Sequence, residues 1–325
     1  MSQLNWALLS TARINRAVIP PLKASERNVL YGVASRDKAK ADAFAAANDI
    51  PHTYGSYEEM LADPNVHVVY VPLPNHLHAE WSIRAMQAGK HVLCEKPLAL
   101  TLGQVDAMVS AAKSSGRVLM EAFMYRHHAQ TLKVLELVAA GTIGEVRLIR
   151  GGFSFMLTHD NDVRLVREYG GGSLWDVGCY PVNYSRTVAG SPVVEVYGQK
   201  VSGRDGVDEI FTGEMRFANG VLAQFDCGFA LPGRWFMDIV GSEGSLHIPE
   251  PYKPVLDNRV FLNRNGEVET LVVPGEELYS GEVENMADAI LNGAPTRVSL
   301  ADSRDNVAAL LALYRSADVG APVIL

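Results

Sequence analysis

Cysteine is scarce. Three residues, Cys94, Cys179 and Cys227, stand far apart in a chain of 325 and form no C-x-x-C pair, which fits a reducing compartment better than a disulfide scaffold. Basic runs are missing and the net charge is −8, so the chain carries no footprint for a phosphate backbone and no nucleic-acid partner is expected. No stretch nears the roughly 20 apolar residues of a membrane helix, and the opening Met-Ser-Gln-Leu-Asn-Trp has neither the basic start nor the apolar length of a secretory leader. The expected location is therefore cytoplasmic, away from membranes. Two histidines, His76 and His78, sit one residue apart at a strand end, but no further ligands follow at recognisable spacing and no metal is expected. Internal repeats, linkers and low-complexity segments are absent as well.

What remains is ordinary soluble-protein composition, 48% hydrophobic and 20% charged, at a length that suits two cores. Through the first 125 residues apolar, β-branched runs alternate with helical patterns. Strands are expected at 4–9, 29–34, 66–71, 91–95 and 118–122, with Ser56 and Glu59 spaced as a capping box and Gly89 and Gly116 as helix stops. Pro20 and Pro21 should kink or end the first helix. Such alternation with short turns indicates a doubly wound parallel sheet, with a boundary placed at 125/126. Past a helix at 129–140 the period changes. Alternating runs at 145–155, 213–217, 221–229 and 236–240, separated by Asn219-Gly220, Gly241-Ser242 and Asn265-Gly266, indicate a mainly antiparallel sheet, and helices at 278–291 and 300–317 follow. The fold class is thus α/β, a Rossmann domain over 1–125 and an α+β domain over 126–325 for substrate binding and self-association.

The most informative stretch is His91-Val92-Leu93-Cys94-Glu95-Lys96-Pro97. It reads as a buried strand that ends in two charges and a stop, since Pro97 has no N–H for a neighbouring strand. In open parallel sheets ligands bind at the carboxyl edge, so an ammonium there can reach a substrate or cofactor. The first strand leads through Ser10, Thr11, Ala12, Arg13 and Ile14 into a helix, the geometry of a pyrophosphate site, although positions 10, 12 and 15 carry Ser, Ala and Asn where a G-x-G-x-x-G turn has glycine. At the end of the second strand an acidic residue would suit NAD. Ser35, Arg36 and Lys38 stand there instead and favour NADP, with NAD still open. Leu73, Asn75 and His78 follow the third strand as candidates to line the cofactor cleft.

Gly170-Gly171-Gly172 precedes Ser173-Leu174-Trp175-Asp176-Val177-Gly178-Cys179-Tyr180. Three glycines are costly unless backbone must bend sharply or approach something closely. A helix from Leu174 would align Asp176 and Tyr180, four residues apart, on one face.

Taken together, Glu95-Lys96-Pro97, Pro72-x-Pro74-Asn75-x-x-His78, Glu121-Ala122-Phe123-Met124-Tyr125-Arg126-His127-His128 and the Gly-Gly-Gly-x-x-x-Asp-Val-Gly-Cys-Tyr segment resemble the glucose-fructose oxidoreductase, inositol dehydrogenase and rhizopine-catabolism (Gfo/Idh/MocA) family. The pattern is most similar to the branch of NADP-dependent D-xylose dehydrogenases and dimeric dihydrodiol dehydrogenases. Tyr180 stands where inositol-type members carry His. The resemblance implies hydride transfer between NADP and a sugar or polyol carbon, an open-faced sheet used for a homodimer or homotetramer, and Lys96, Asp176 and Tyr180 as catalytic residues. In that scheme Tyr180 exchanges the proton, Lys96 tunes its phenol and orients the substrate hydroxyl, and Asp176 anchors Lys96 or a sugar hydroxyl. Glu95, Lys96 and Arg126 join the cofactor set, and Tyr125 and Trp175 the substrate set, Trp175 as a possible stacking face. Oxidation of an aldose at its anomeric carbon leads; reduction of a keto-sugar, including nucleotide-linked or 3-keto sugars, or oxidation of a trans-dihydrodiol are alternatives. Retention of Lys96, Asp176 and Tyr180 speaks against a non-catalytic cofactor-sensing regulator.

Overall fold

The computed structural model describes residues 3–159, 162–203 and 205–325. Its contacts divide the chain into two units, Met1–His127 with Tyr279–Arg304, and His128–Leu278 with Asp305–Leu325. The first crossing falls two residues beyond the expected boundary. The return of 279–304 to the first unit is a feature that a single boundary does not anticipate.

In the first unit β1 (Leu4–Leu9), α1 (Asn15–Ala24), β2 (Asn28–Ala34), α2 (Lys38–Asn48), β3 (His52–Tyr54), α3 (Tyr57–Ala62), β4 (Val68–Val71), α4 (His78–Gln87), β5 (His91–Glu95), α5 (Leu102–Ser115) and β6 (Leu119–Ala122) build a parallel sheet of order β3-β2-β1-β4-β5-β6. Strand order reverses between β1 and β4, and at such a switch point the carboxyl ends open a crevice. The strands β1, β4 and β5 are almost wholly buried, as continuous apolar runs covered on both faces should be. Helix starts follow the capping rules. Asp37 accepts the amides of Ala39 and Lys40, Ser56 that of Glu59, and Thr101 that of Gln104. The expectation for Pro20 and Pro21 is corrected: both lie inside α1, which runs on to Ala24. The carbonyls left without donors are those of Arg16, which is exposed, and Ala17, which is half-buried, so water can satisfy them.

The second unit holds α6 (Ala129–Ala139), β7 (Val146–Met156), α7 (Cys179–Ala189), β8 (Val193–Ser202), β9 (Asp208–Phe217), β10 (Leu222–Gly228), β11 (Ala230–Gly241), β12 (Gly244–Ile248), β13 (Asp257–Arg264) and β14 (Glu267–Pro274). The chain then forms α8 (Ser280–Asn292) in the first unit, α9 (Leu300–Val319) across the division, and β15 (Val323–Ile324). Sheet order is β14-β13-β12-β11-β7-β10-β9-β8-β15, antiparallel throughout except for the parallel pair β7 and β10. One face is packed by α7 and its lead-in; Ile149, Phe211, Met215, Ala223, Cys227, Met237 and Ile239 point into that core. The other face is exposed. It carries ion pairs Arg216–Glu195, Arg234–Asp226 and His247–Asp238 beside exposed apolar side chains, Val201 and Leu222 among them.

Candidate active site

Four adjacent strands of the first unit, β2, β1, β4 and β5, deliver the expected cofactor residues to one sheet edge: Ser35, Arg36 and Lys38; Ser10 to Ile14; Leu73, Asn75 and His78; Glu95 and Lys96. Ser10 has a φ of 130°, the left-handed region that the first glycine of a dinucleotide turn supplies freely. Its own groups hold that bend. Ser10 Oγ accepts the amide of Ala12 at 3.2 Å, and its carbonyl accepts Nδ2 of the buried Asn15 at 2.7 Å. The glycines missing from the sequence are thus replaced by a serine locked in a glycine conformation. The amides of Thr11, Arg13 and Ile14 have no partner among the described residues. Free amides at a helix N-terminus fit a pyrophosphate.

At the end of β2 the Asp37 carboxylate is committed to capping α2. Lys38 Nζ bonds Asp42 and Thr53 Oγ1. That leaves Arg36, exposed at the edge, whose positive charge opposes the rise that burial gives the Tyr57 phenol's pKa. Tyr57 in turn sets its ring against Trp81, edge to face at 4.8 Å. The donor set at this position is cationic and suits a ribose phosphate. Sequence reasoning missed Tyr57.

Lys96 follows β5 and is half-buried, and its bond to Pro97 is cis. The loop it opens is braced from below. The Leu98 amide donates to Glu121 Oε1 at 2.8 Å, and the Pro97 carbonyl lies 2.8 Å from His78 Nδ1. The Tyr70 hydroxyl donates to Glu95 Oε1 at 2.5 Å, and burial pushes that phenol's pKa well up, keeping its proton. Glu282 on α8 is fully buried near Glu95, and burial pushes its carboxyl well up too. His78 was expected to line the cofactor cleft, and the structure places it beneath the loop after Lys96. It has no exposed surface, and its second nitrogen lies 2.7 Å from the Leu73 carbonyl. Arg126 pairs with Asp302 at 2.8 Å. Tyr125 is fully enclosed, with its ring edge on Phe123.

In the second unit the glycine triplet has the close approaches that its composition demands. A Cβ on Gly171 would fall 2.4 Å from the Arg164 carbonyl, and Gly172 has a φ of 127°. A helical run begins at Ser173, passes through a π-helical turn at Leu174–Gly178 and becomes α7. Asp176 and Tyr180 lie one turn apart on it. Asp176 Oδ2 accepts from Arg164 Nε at 2.7 Å, and that carboxylate is the first cause holding the guanidinium's pKa up. The Tyr180 ring, 5% exposed, packs against Phe153 at 5.4 Å and Tyr252 at 5.7 Å. Trp175 is buried with its ring 5.5 Å from Tyr314, so the indole expected to stack on sugar is a packing residue. The partly exposed aromatic beside the Tyr180 cluster is Trp235, 6.2 Å from Phe153.

All three cysteines are free and buried; burial pushes Cys94 and Cys227 upward, away from reactive thiolates. Among the described residues no group of His, Cys, Asp and Glu could hold a metal, and no helix is long and apolar enough to cross a membrane.

Residues 4–123 match the family model GFO_IDH_MocA, an oxidoreductase family with an NAD-binding Rossmann fold, and residues 131–247 match the GFO/IDH/MocA C-terminal domain. The chain is 37% identical over 325 residues to D-xylose 1-dehydrogenase (NADP(+)) 2 of Haloferax volcanii, covering 98% of this chain and 99% of that one. Among solved structures it is similar to the aldose-aldose oxidoreductase of Caulobacter crescentus complexed with glycerol, with a TM-score of 0.93 and 28% identity over 99% of this chain and 100% of the other. It is also similar to a 3-ketoreductase of Actinomadura kijaniata in complex with NADP and TDP-benzene, with a TM-score of 0.92 and 29% identity over 97% and 98%.

Proposed function

This chain is an oxidoreductase of the Gfo/Idh/MocA family with an NAD-binding Rossmann domain, and on that premise we propose that it oxidises an aldose at the anomeric carbon with NADP. The observation that carries the cofactor choice is the edge of β2, where Asp37 is spent on a helix cap and Arg36 is the cation presented. NADP, held there, would supply the hydride acceptor. The amides of Thr11, Arg13 and Ile14 would hold its pyrophosphate and Arg36 its ribose phosphate. Asn75, Lys96 and Arg126 stay in the proposed binding set. Tyr180 takes the proton from the sugar hydroxyl, Lys96 favours its phenolate and orients that hydroxyl, and Asp176, held by Arg164, receives a neighbouring sugar hydroxyl. Trp235, rather than Trp175, offers the ring face for the sugar.

The likeness to a 3-ketoreductase supports a second reading, reduction of a keto-sugar by the same groups run in reverse. We also propose that copies associate through the exposed sheet face. With ion pairs across that face the contact would be polar and wet, and light scattering would report a dimer or tetramer that falls apart in high salt.

The test is a fluorescence titration with NADP and NAD, followed by aldoses, polyols and keto-sugars watched at the nicotinamide band. Tight NADP binding with turnover on a pentose or hexose is the expected result. Tyr180→Phe should bind NADP normally and lose about 10²–10⁴-fold in kcat. Full turnover by that variant at saturating sugar would end the assignment of Tyr180.

A further inference from the structure

The helix that carries Asp176 and Tyr180 starts without a cap of its own. A helix leaves its first amides without acceptors, and the residue before the first turn normally supplies a side-chain oxygen. Here that lead-in is Gly171-Gly172, which has no side chain to offer. The acceptors come from another part of the chain. Asp208, the first residue of β9 and 35 positions beyond Ser173, accepts the Leu174 amide at 2.7 Å and the Ser173 hydroxyl at 2.7 Å through Oδ2. Its Oδ1 accepts the Tyr314 hydroxyl of α9 at 2.6 Å. The first amide of the π-turn and the hydroxyl beside it are therefore answered by a carboxylate from another element, and that carboxylate is itself held by a phenol from a third.

The fit leaves no room for a conventional cap. A Cβ at Gly172 would fall 2.2 Å from Asp208 Oδ1 and 2.7 Å from the Tyr314 hydroxyl. Asp208 is 2% exposed, and its partners Ser173, Leu174 and Tyr314 all lie inside the unit. Burial raises its pKa and the three donors oppose that rise. The turn it holds is π-helical, one residue wider than an α-turn. If the external anchor is lost, that turn can close into an α-turn, and the residues on either side then rotate against each other by about 100°.

We propose that Asp208 is a positioning residue: by capping the Ser173 helix from β9, it fixes the rotation at which Asp176 and Tyr180 are presented. The inference rests on the reading that Asp176 and Tyr180 serve the reacting carbon. Substitution of Asp208 by Ala removes every acceptor. Substitution by Asn keeps an oxygen for Leu174 and Ser173 and turns its amide to the Tyr314 oxygen. The sequence alone could not find Asp208, since nothing around it forms a motif.

The test uses the full chain with NADP and the sugar that the wild type turns over. Asp208→Ala should lose about 10²-fold in kcat with the NADP Kd unchanged, Asp208→Asn should recover to within about threefold of wild type, and Tyr314→Phe should fall between them. Wild-type kcat in Asp208→Ala would overturn the proposal, as would joint loss of NADP binding and turnover, which marks a general folding role. If Asp208→Ala fails to fold, Tyr314→Phe decides: unchanged kcat overturns the proposal, and a fall in kcat with NADP binding intact supports it. Turnover surviving in Tyr180→Phe would instead sink the catalytic reading beneath it, so the two failures are distinguishable.

Discussion

The amide of Leu98 donates to the buried carboxylate of Glu121 at 2.8 Å, tying the loop after Lys96 to the strand beside it. Removing that acceptor leaves a buried amide unpaired. Glu121→Ala should cost about 1–3 kcal/mol in urea unfolding and lower kcat together with stability, while Glu121→Gln keeps an oxygen and should cost less than half as much. Equal stability of the Ala variant and wild type would show that the brace is idle.

Ser10 sits at φ 130°, where a residue with a Cβ is strained by about 1–3 kcal/mol. Ser10→Gly should relieve more than it loses in the Oγ contact, raising stability by about 1 kcal/mol. Ser10→Ala keeps the strain and discards the acceptor of the Ala12 amide, and should lower stability by about 1 kcal/mol. The opposite signs are the prediction, read as shifts in thermal midpoint; both variants moving the same way would refute it.

Arg36 is the cation presented at the edge of β2, and its removal should be felt by one cofactor only. Arg36→Ala should weaken NADP by about 10–100-fold and leave NAD unchanged, since a charge-assisted pair contributes about 1.5–3 kcal/mol. Tyr57→Phe, which leaves the guanidinium in place, should weaken NADP by less. Parallel losses for both cofactors would place Arg36 outside the phosphate site.

Burial holds the imidazoles of His78 and His127 down, each to about 4 against an ordinary 6.5. The unfolded chain therefore takes up these protons first as pH falls. Their contribution is full above pH 6.5 and drains away between 6.5 and 4, about 3 kcal/mol for each at 1.36 kcal/mol per pKa unit. Urea midpoints between pH 7.5 and 4.5 should fall, and His78→Gln should flatten the slope relative to wild type. An unaltered slope in that variant would contradict the assignment for His78.

Much of the fold was legible in the residues because it depends on local periods and stop signals. Strand ends, the helices closed by Gly89 and Gly116, and the turns at Asn219-Gly220 and Asn265-Gly266 all follow from side-chain alternation and glycine chemistry. The cofactor-edge candidates sit on consecutive strand ends, so order alone groups them. Contacts between distant segments were not legible. Arg164 on Asp176, Tyr57 on Arg36 and Asp208 on the Ser173 helix join positions from 12 to 35 residues apart through side chains with no motif. Direction was equally hidden: Trp175 turns toward Tyr314 and Trp235 toward Phe153, which composition cannot distinguish. Pro20 and Pro21 misled because the carbonyls they orphan face outward.

The chain leaves its first unit at His127 and re-enters it at Tyr279. Arg27, at the mouth of β2, pairs with Glu284 and Asp288 of α8, and α8 packs on α1 and β2. During synthesis these early strands emerge long before their last partners, and the Arg27–Glu284 contact spans 257 positions. The nucleotide-binding unit is consequently among the last parts of the molecule to be completed. Domain-by-domain folding on the ribosome is closed to it, and a fragment ending at His127 would carry an unpaired guanidinium and a bare helix face rather than a transplantable module.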